Sequence, residues 1–317
     1  MIARIFDLSG ILLILGFTAV GFLTGCIFGA VKRESGSAPL LRGVEAAVLG
    51  LLGGLFARAF ISILIGVDND SPEACLLVGW GFFLIPGIVD TIPYAMGTQI
   101  LTSPDTLLLL ATIVGGFTGV MNGLYQIYNW RGLGWLAFPL DVTWALGGNT
   151  IGGLLHLINI YWGDHSGDIR ENAHCYHSGF GLKERYAFTQ GAVMSNLNEP
   201  PSDPLFHHEK THVWQSRIFG PMYTLTYLGW MGVWLVPGLI AGKIVKAGIG
   251  HGIEKWCYFN NPWEAWAYAV QKVQRPDFGE NEEQKQLIWP PIFVILWAVP
   301  FFGLATFLAI YMVAKVW

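Results

Sequence analysis

The octapeptide HEKTHVWQ runs from His208 to Gln215 and contains the pattern HExxH. On a helix, residues four apart lie on the same face, so His208 and His212 can reach one tetrahedral zinc ion while Glu209 lies beside a bound water. The alternative is an amphipathic helix that contains two histidines by coincidence. Lys210 departs from the pattern, because such helices usually carry an uncharged residue there. The spacing favours a metal site.

A zinc site that keeps a position open for water needs a third protein ligand. The segment Asn261-Pro262-Trp263-Glu264 offers one. Asn followed by Pro is typical of the N-cap and first residue of a helix, which places Glu264 in the first turn. A glutamate three residues after the cap can instead accept a hydrogen bond from the backbone N–H of the cap. The residues alone leave both roles of Glu264 open.

Three motifs together resemble a largely uncharacterised group of bacterial zincin-like proteins. The motifs are HEKTHVWQ, the FGP turn at Phe219-Gly220-Pro221, and NPWEAWAYA from Asn261, and the resemblance covers roughly residues 185–270. Residues 188–193 match the strand that such proteins place before the helix. The alternating apolar residues around Tyr186–Ser195 also predict a short strand or hairpin.

The resemblance implies a gluzincin-type zinc site within a small α+β domain. In such a site His208 and His212 are ligands, Glu264 is the third ligand and Glu209 is the general base. It also implies a peptide or protein substrate if the site is catalytic.

Composition indicates a membrane protein. Of the 317 residues, 53% are hydrophobic and 13% are charged, with a mean hydropathy of +0.47, whereas soluble domains carry about 25% charged residues. We therefore expect an integral membrane protein in contact with lipid. The net charge of −4 and the lack of a Lys/Arg cluster argue against nucleic-acid binding. The four cysteines form no disulfide framework or CxxC spacing.

Apolar stretches of about 20 residues predict six transmembrane helices. They lie near residues 11–31, 44–66, 76–97, 107–128, 133–162 and 288–316. The predicted fold is mostly α-helical, with a five-span membrane bundle (residues 1–162), a zincin-like domain (163–287) and a C-terminal span (288–317). Glycines at four-residue spacing, such as Gly50 and Gly54, predict close helix packing and are compatible with a homo-oligomer or with partner membrane proteins.

The apolar part of residues 221–249 is long enough to cross a membrane once. A crossing would place His212 and Glu264 on opposite sides, where they could not share an ion. We therefore predict a re-entrant or interfacial hairpin that breaks at Pro237-Gly238 and returns to the same side.

Positive charges predict the orientation. The loop after the first span carries Lys32, Arg33 and Arg42, whereas residues 67–75 carry only acidic charges, so the first loop is predicted to be cytoplasmic and the second external. Five crossings then place residues 163–287 in the cytoplasm. Together with the bacterial resemblance, this predicts a multi-pass protein of the bacterial cytoplasmic membrane whose metal site faces the cytoplasm.

Two carboxylates, Asp90 and Asp141, lie inside apolar segments, where ionisable residues are functional candidates by default. Each follows a proline, and we favour a structural role in which the carboxylate bonds backbone groups that the proline frees. Arg58 is a candidate ion-pair partner for one of them.

A second group of histidines, His165, His174 and His177, lies in a polar stretch. It is a candidate second metal cluster. Its spacing matches no standard site, however, and the histidines are better interpreted as part of a polar loop.

Three functional hypotheses follow. The preferred one is an integral membrane zinc metallopeptidase with Glu209 as general base. The second is a non-catalytic, zinc-stabilised structural or assembly subunit of a larger membrane complex. The third, a channel or transporter, depends only on Asp90, Asp141 and the interrupted helices.

Overall fold

The computed structural model describes residues 5–166, 169–181, 186–197, 204–244 and 248–271. The described chain is mostly α-helical, with one small sheet. The helices are α1 (Leu8–Val31), α2 (Ala38–Gly66), α3 (Pro72–Val78), α4 (Ile85–Ala95), α5 (Pro104–Leu124), α6 (Gly134–Val142), α7 (Leu146–Trp162), α8 (Pro204–Phe219), α9 (Pro221–Ile244), α10 (Ile249–Ile253) and α11 (Pro262–Gln271), with π-helical turns at Gly79–Phe83 and Glu254–Phe259. The strands are β1 (Asp164–His165), β2 (His174–Ser178), β3 (Phe188–Gln190) and β4 (Val193–Ser195).

Helices α1, α2 and α5 pack into a tight bundle through their glycines. A Cβ added to Gly115 of α5 would collide with the carbonyl oxygen of Gly53 of α2, and a Cβ on Gly25 of α1 would lie 2.6 Å from the Cα of Gly43. Such close backbone approach is what small residues permit in lipid, where packing rather than the hydrophobic effect holds helices together. The predicted close packing is thus realised within one chain, and an oligomer stays a prediction.

Four described helices, α1, α2, α5 and α9, are long and apolar enough to cross a membrane. The predicted third and fifth spans are each broken in the structure. Leu84 interrupts residues 76–97 with a positive φ of 57° just before Pro86, and Pro139 precedes the end of α6 at Val142. Pro86 begins a new helix in its first turn, where the missing N–H needs no partner, whereas α6 runs through Pro139 and ends three residues later. The predicted span at 288–316 lies outside the described residues.

The carboxylates of the two broken segments, Asp90 and Asp141, are both bonded within the chain. Asp90 accepts hydrogen bonds from the backbone N–H groups of residues 100–102, at 2.6–3.1 Å. These bonds support the structural role predicted for Asp90. The backbone N–H groups that it binds precede α5, however, and are not the groups freed by Pro86. The predicted pairing with Arg58 is wrong, because Arg58 pairs with Asp7 at 2.8 Å. Asp141 instead pairs with Arg217 of α8. These bonds account for both carboxylates, and the channel hypothesis stays a prediction.

Helix α9 runs unbroken through Pro237, so the predicted break at Pro237-Gly238 is wrong. The chain nevertheless runs back along α9, since α10 and the π-helical turn that follows it lie against α9. A Cβ on Gly238 would lie 2.9 Å from the carbonyl oxygen of Gly252. One proline removes a single helical hydrogen bond, and this close packing holds the helix together across it. The reversal returns α11 to the first turns of α9.

The small sheet has the strand order β1-β2-β4-β3. Strands β3 and β4 are antiparallel and form the hairpin predicted around Tyr186–Ser195, with Gly191 at a positive φ of 55° in its turn. Strand β2 pairs with β4 in parallel and with β1 antiparallel. In the described part of the chain, β3 therefore has a strand on one side only.

The histidines of the polar stretch do not come together as three ligands. The Nε2 atom of His165 lies 3.2 Å from Nδ1 of His174, whose Nε2 lies 2.7 Å from Oδ1 of Asn122. His177 is exposed. His165 and His174 take part in a hydrogen-bond network between the sheet and α5.

Candidate metal centre

The HExxH segment is helical, as the spacing predicts, and it lies within α8. Phe206 and Val213 on one side of α8 pack against Met194 of β4 and Cys175 of β2. This packing buries the helix against the sheet. His208, Glu209 and His212 are also buried, which is expensive for polar groups unless they have partners.

His208, His212 and Glu264 form one buried cluster. The two Nε2 atoms are 3.2 Å apart, and the Glu264 carboxylate lies 3.1 Å from His208 Nε2 and 3.3 Å from His212 Nε2. One ligand atom from each residue can be chosen so that all three lie within 4.8 Å of one another. Two imidazoles and a carboxylate in this arrangement can bind a metal ion. Among the described residues, no other group of three His, Cys, Asp or Glu side chains does so.

The cap geometry decides between the two roles that the residues left open for Glu264. Asn261 Oδ1 accepts a hydrogen bond from the backbone N–H of Trp263 at 3.1 Å, so Asn261 caps α11 as predicted. The backbone N–H of Asn261 donates to the carbonyl of Tyr258 at 2.8 Å. Glu264 is therefore not needed in a capping box, and its carboxylate faces the histidines.

Gln215 connects the two halves of the cluster. Its Oε1 lies 2.8 Å from His212 Nδ1, and its Nε2 donates to the carbonyl of Trp263 at 3.0 Å. An amide oxygen only accepts, so His212 carries its proton on Nδ1 and directs Nε2 toward the cluster. The same side chain thus orients one candidate ligand and holds the residue before Glu264. Such second-shell bonds tune metal sites.

Two tyrosines of α9 complete the surroundings of the cluster. The Tyr227 hydroxyl donates to Glu264 Oε1 at 2.7 Å, and the Tyr223 hydroxyl lies 3.2 Å from His212 Nδ1. They are four residues apart, so they lie on one face of the helix. That spacing is the only sequence signal that could have indicated them.

In the metal-free protein the positive charge of His212 and the negative charge of Glu264 stabilise each other. Burial opposes a charge on His212, but the Glu264 and Glu209 carboxylates outweigh it and raise the pKa of His212 to about 9. Burial likewise opposes a charge on Glu264, but His212 and His208 hold the pKa of this carboxyl well below its usual range. At neutral pH the metal-free site therefore contains a His212 protonated on both ring nitrogens beside an ionised Glu264, and a metal ion would displace the proton of Nε2.

Glu209 lies beside the cluster and outside the group of candidate ligands. Its Oε2 accepts a hydrogen bond from the Thr189 hydroxyl of β3 at 2.6 Å. Glu209, His212 and Glu264 all line a cavity of about 510 Å³. A carboxylate in this position can exchange a proton with a molecule held next to the cluster.

Hydrolysis at this site would also need a hydrogen-bond donor to the reacting carbonyl, and three candidate side chains, His251, Tyr258 and Tyr268, lie in different places. Tyr258 lines the cavity. The Tyr268 ring packs edge-on against His208, with ring centroids 4.4 Å apart, and is not part of the cavity wall. His251 does not line the cavity either. Of the three, Tyr258 alone lines this space, and its hydroxyl also bonds to Glu264.

Lys210, which departs from the usual pattern, points away from the cluster. Its ammonium pairs with Glu171 and lies 5.4 Å from the centre of the Phe206 ring. The departure therefore falls on the opposite side of α8 from the cavity.

Comparison of the chain with known protein families, with curated proteins and with solved structures finds no match.

Proposed function

We propose that this chain is an integral membrane zinc metallopeptidase of the gluzincin type. The main observation in favour of this proposal is that Glu209 lies beside the buried His208–His212–Glu264 cluster, and that Glu209 and the cluster face the same cavity. The motif resemblance and the helix–strand arrangement around the site support a zincin-like domain. The four membrane-length helices support a place in the membrane, and the basic loop after α1 supports a cytoplasm-facing site.

The donor set fits zinc. Two imidazole nitrogens and one carboxylate are the ligands that catalytic zinc takes when it keeps a fourth position open. His208, His212 and Glu264 would hold the ion, with His212 oriented by Gln215. When bound, zinc supplies a Lewis acid that polarises a peptide carbonyl and acidifies water.

The residues of this chain would carry the proton and position the substrate. Glu209, oriented by the Thr189 hydroxyl, accepts the proton of the attacking water and passes it to the leaving amine. Tyr258 donates a hydrogen bond to the oxygen on which negative charge develops. Strand β3 lines the cavity and is an edge strand of the described sheet, so we expect its unpaired backbone groups to pair with an extended peptide.

A structural role is the alternative, and one observation favours it. The cluster links α8 to α11 at the base of the α9–α10 hairpin, so zinc there would fasten the hairpin to the sheet. In that case Glu209 would be dispensable, whereas the ligands would be needed for folding.

The test uses the full-length chain in proteoliposomes, loaded with zinc and mixed with a pool of internally quenched peptides. We expect Glu209→Gln to retain zinc and to lose activity by about 10²–10⁴-fold, because general acid–base catalysis contributes that much. His212→Ala should lose both zinc and activity. Glu171→Gln is the matched control, since Glu171 pairs with Lys210 on the far side of α8.

Two results would contradict the proposal. Equal zinc content in His212→Ala and the unaltered protein would remove the metal site. Full activity of Glu209→Gln would remove Glu209 as general base. Loss of the folded protein in His208→Ala, with no peptide cleaved by the unaltered protein, would favour the structural alternative.

A further inference from the structure

The cavity beside the metal centre is largely apolar away from the cluster. Strand β3 contributes Phe188, α9 contributes Leu228 and Met231, and the end of α10 contributes Ile253. These side chains come from three separate elements that meet only in the folded chain. The part of a substrate that lies next to the reacting bond therefore contacts hydrocarbon on several sides.

Outside the metal cluster, the only charges among the described residues of the cavity wall are negative. None of the described residues that line it is Lys or Arg, and the carboxylates are those of Glu209, Glu264 and Glu254. Glu254 Oε1 accepts a hydrogen bond from the Tyr186 hydroxyl at 2.7 Å. Away from the metal cluster, a substrate carboxylate would be buried without a cationic partner, which is costly. The cavity thus disfavours acidic side chains and a free C-terminus.

The cavity also extends along α9. Tyr223, Tyr227 and Met231 all line it, and Met231 is ten residues beyond Pro221, or about 15 Å along a helix. With α9 in the membrane, this is about half of a hydrocarbon layer of ~30 Å. The cavity would then reach from the membrane surface well into the depth occupied by lipid.

One wall of the cavity continues into the outer surface of α9. Leu228 lines the cavity and is 47% exposed, and the exposed Leu235 lies on the same face of α9 about two turns further along. An exposed apolar row on a membrane-length helix is a surface that faces lipid. An apolar segment in the lipid beside α9 can therefore contact Leu228 without leaving a hydrophobic environment.

We infer that this cavity binds an uncharged, apolar peptide segment of a membrane protein, which reaches the metal centre from the lipid beside α9. The inference rests on the proposed peptidase function and specifies its substrate class. Leu228, Met231 and Ile253 would contact the apolar side chains next to the cleaved bond. The backbone groups of β3 match an extended peptide, whereas an acyl chain has no N–H or C=O groups to pair with them, so a peptide is favoured over a lipid.

The first experiment compares two internally quenched peptides of equal length with the zinc-loaded full-length protein in liposomes. One peptide carries Leu, Val and Phe around the cleaved bond, and the other carries Ser, Thr and Asn. We expect the apolar peptide to have a kcat/KM at least about tenfold higher, the discrimination typical of hydrophobic contacts in a pocket. Equal or faster cleavage of the polar peptide would overturn this inference and leave the peptidase function in place.

Variants of the wall test the contact itself. Met231→Gln should lower the apolar-to-polar ratio of kcat/KM several-fold, mainly through a higher KM, with zinc content unchanged. Val236→Gln is the matched control, because Val236 lies on the same helix, is exposed and does not line the cavity. Equal effects of the two changes would contradict a role for the cavity wall.

A binding experiment is independent of turnover and of how the wall variants fold. The Glu209→Gln protein is mixed in liposomes with the apolar peptide carrying a photo-crosslinking group next to the cleavable bond. We expect crosslinks within residues 186–190, 227–231 or 253–258, and crosslinks confined to other regions would overturn the inference. If the zinc-loaded protein cleaves neither peptide, the proposed function fails and the substrate class with it. If it hydrolyses the liposome lipid instead, the substrate is a lipid and the inference is wrong.

Discussion

Arg217 and Asp141 form a bidentate ion pair, with Nε and Nη2 of the guanidinium each 2.8 Å from a different carboxylate oxygen. Both side chains are buried, and the Tyr128 hydroxyl donates to the same carboxylate at 2.9 Å. The pair joins α8, which carries the metal cluster, to α6, which lies in an apolar segment. It therefore connects the metal site to the helix bundle through two buried charges of opposite sign.

We expect Asp141→Asn to destabilise the protein by about 3–5 kcal/mol, because removal of one partner leaves the other charge buried and uncompensated. Replacing both partners, as Asp141→Leu with Arg217→Met, should cost much less. Denaturant unfolding of the purified protein measures both. The exposed Asp164 provides a control, and a loss as large in Asp164→Asn would contradict the argument.

Gln215→Leu should weaken zinc binding by about 10–100-fold, the usual effect of removing a second-shell partner. It would release the Nδ1 hydrogen of His212 and the carbonyl of Trp263 while leaving all three candidate ligands in place. Competition with a fluorescent chelator measures the affinity. Lys210→Gln, on the same helix but directed toward Glu171, should change it little.

The metal-free protein should lose stability as the pH rises from about 6.5 to 9. The folded pKa of His212, about 9, is raised above its ordinary value of 6.5, so its contribution is complete below pH 6.5 and disappears as the pH passes 9. The shift corresponds to about 3 kcal/mol. Unfolding of chelator-treated protein across this range measures the slope.

His212→Ala should remove most of that slope, whereas His177→Ala, at an exposed position, should preserve it. In the zinc-loaded protein the slope should be absent or reversed, because the ion replaces the proton and binds more tightly as the pH rises. An unchanged slope in His212→Ala would show that another group titrates.

Tyr258→Phe should lower kcat by about 10²–10³-fold with little change in zinc content, because it removes a donor to the developing oxyanion. Tyr268→Phe is the control, since Tyr268 packs on His208 and does not line the cavity. If Tyr268→Phe lost more kcat than Tyr258→Phe, the assignment would be wrong.

Gly115→Ala should destabilise the protein by about 1–3 kcal/mol, the cost of overpacking a tight contact. The added methyl would collide with the carbonyl oxygen of Gly53. Gly16→Ala in α1 should be neutral or slightly stabilising, since a Cβ there meets nothing within 4 Å and alanine favours helix. Thermal unfolding in the same detergent compares the two, and equal losses would contradict this packing.

Local features of the chain were predictable where one or two turns decide the outcome. The HExxH helix, the Asn261 cap and the hairpin near Tyr186 all have the predicted local form. The break at Pro237 was predicted wrongly because the packing of α9 against the returning chain, which keeps the helix continuous, is invisible in a hydropathy pattern. Residues 76–97 show the opposite error, since total hydropathy does not register the interruption at Leu84.

By itself, the sequence determined the four-residue spacing of His208 and His212 and the apolar lengths of α1, α2, α5 and α9, because helix geometry and hydropathy are properties of short stretches. The tertiary structure alone decided that Glu264, more than fifty residues later, lies 3.1 Å from His208. It also decided that Asp141 pairs with Arg217, whereas Arg58 pairs with Asp7. Those contacts depend on where the α9–α10 hairpin reverses and on how α8 packs against the bundle. Such packing results from many weak contacts between distant segments, and no short stretch of residues specifies it.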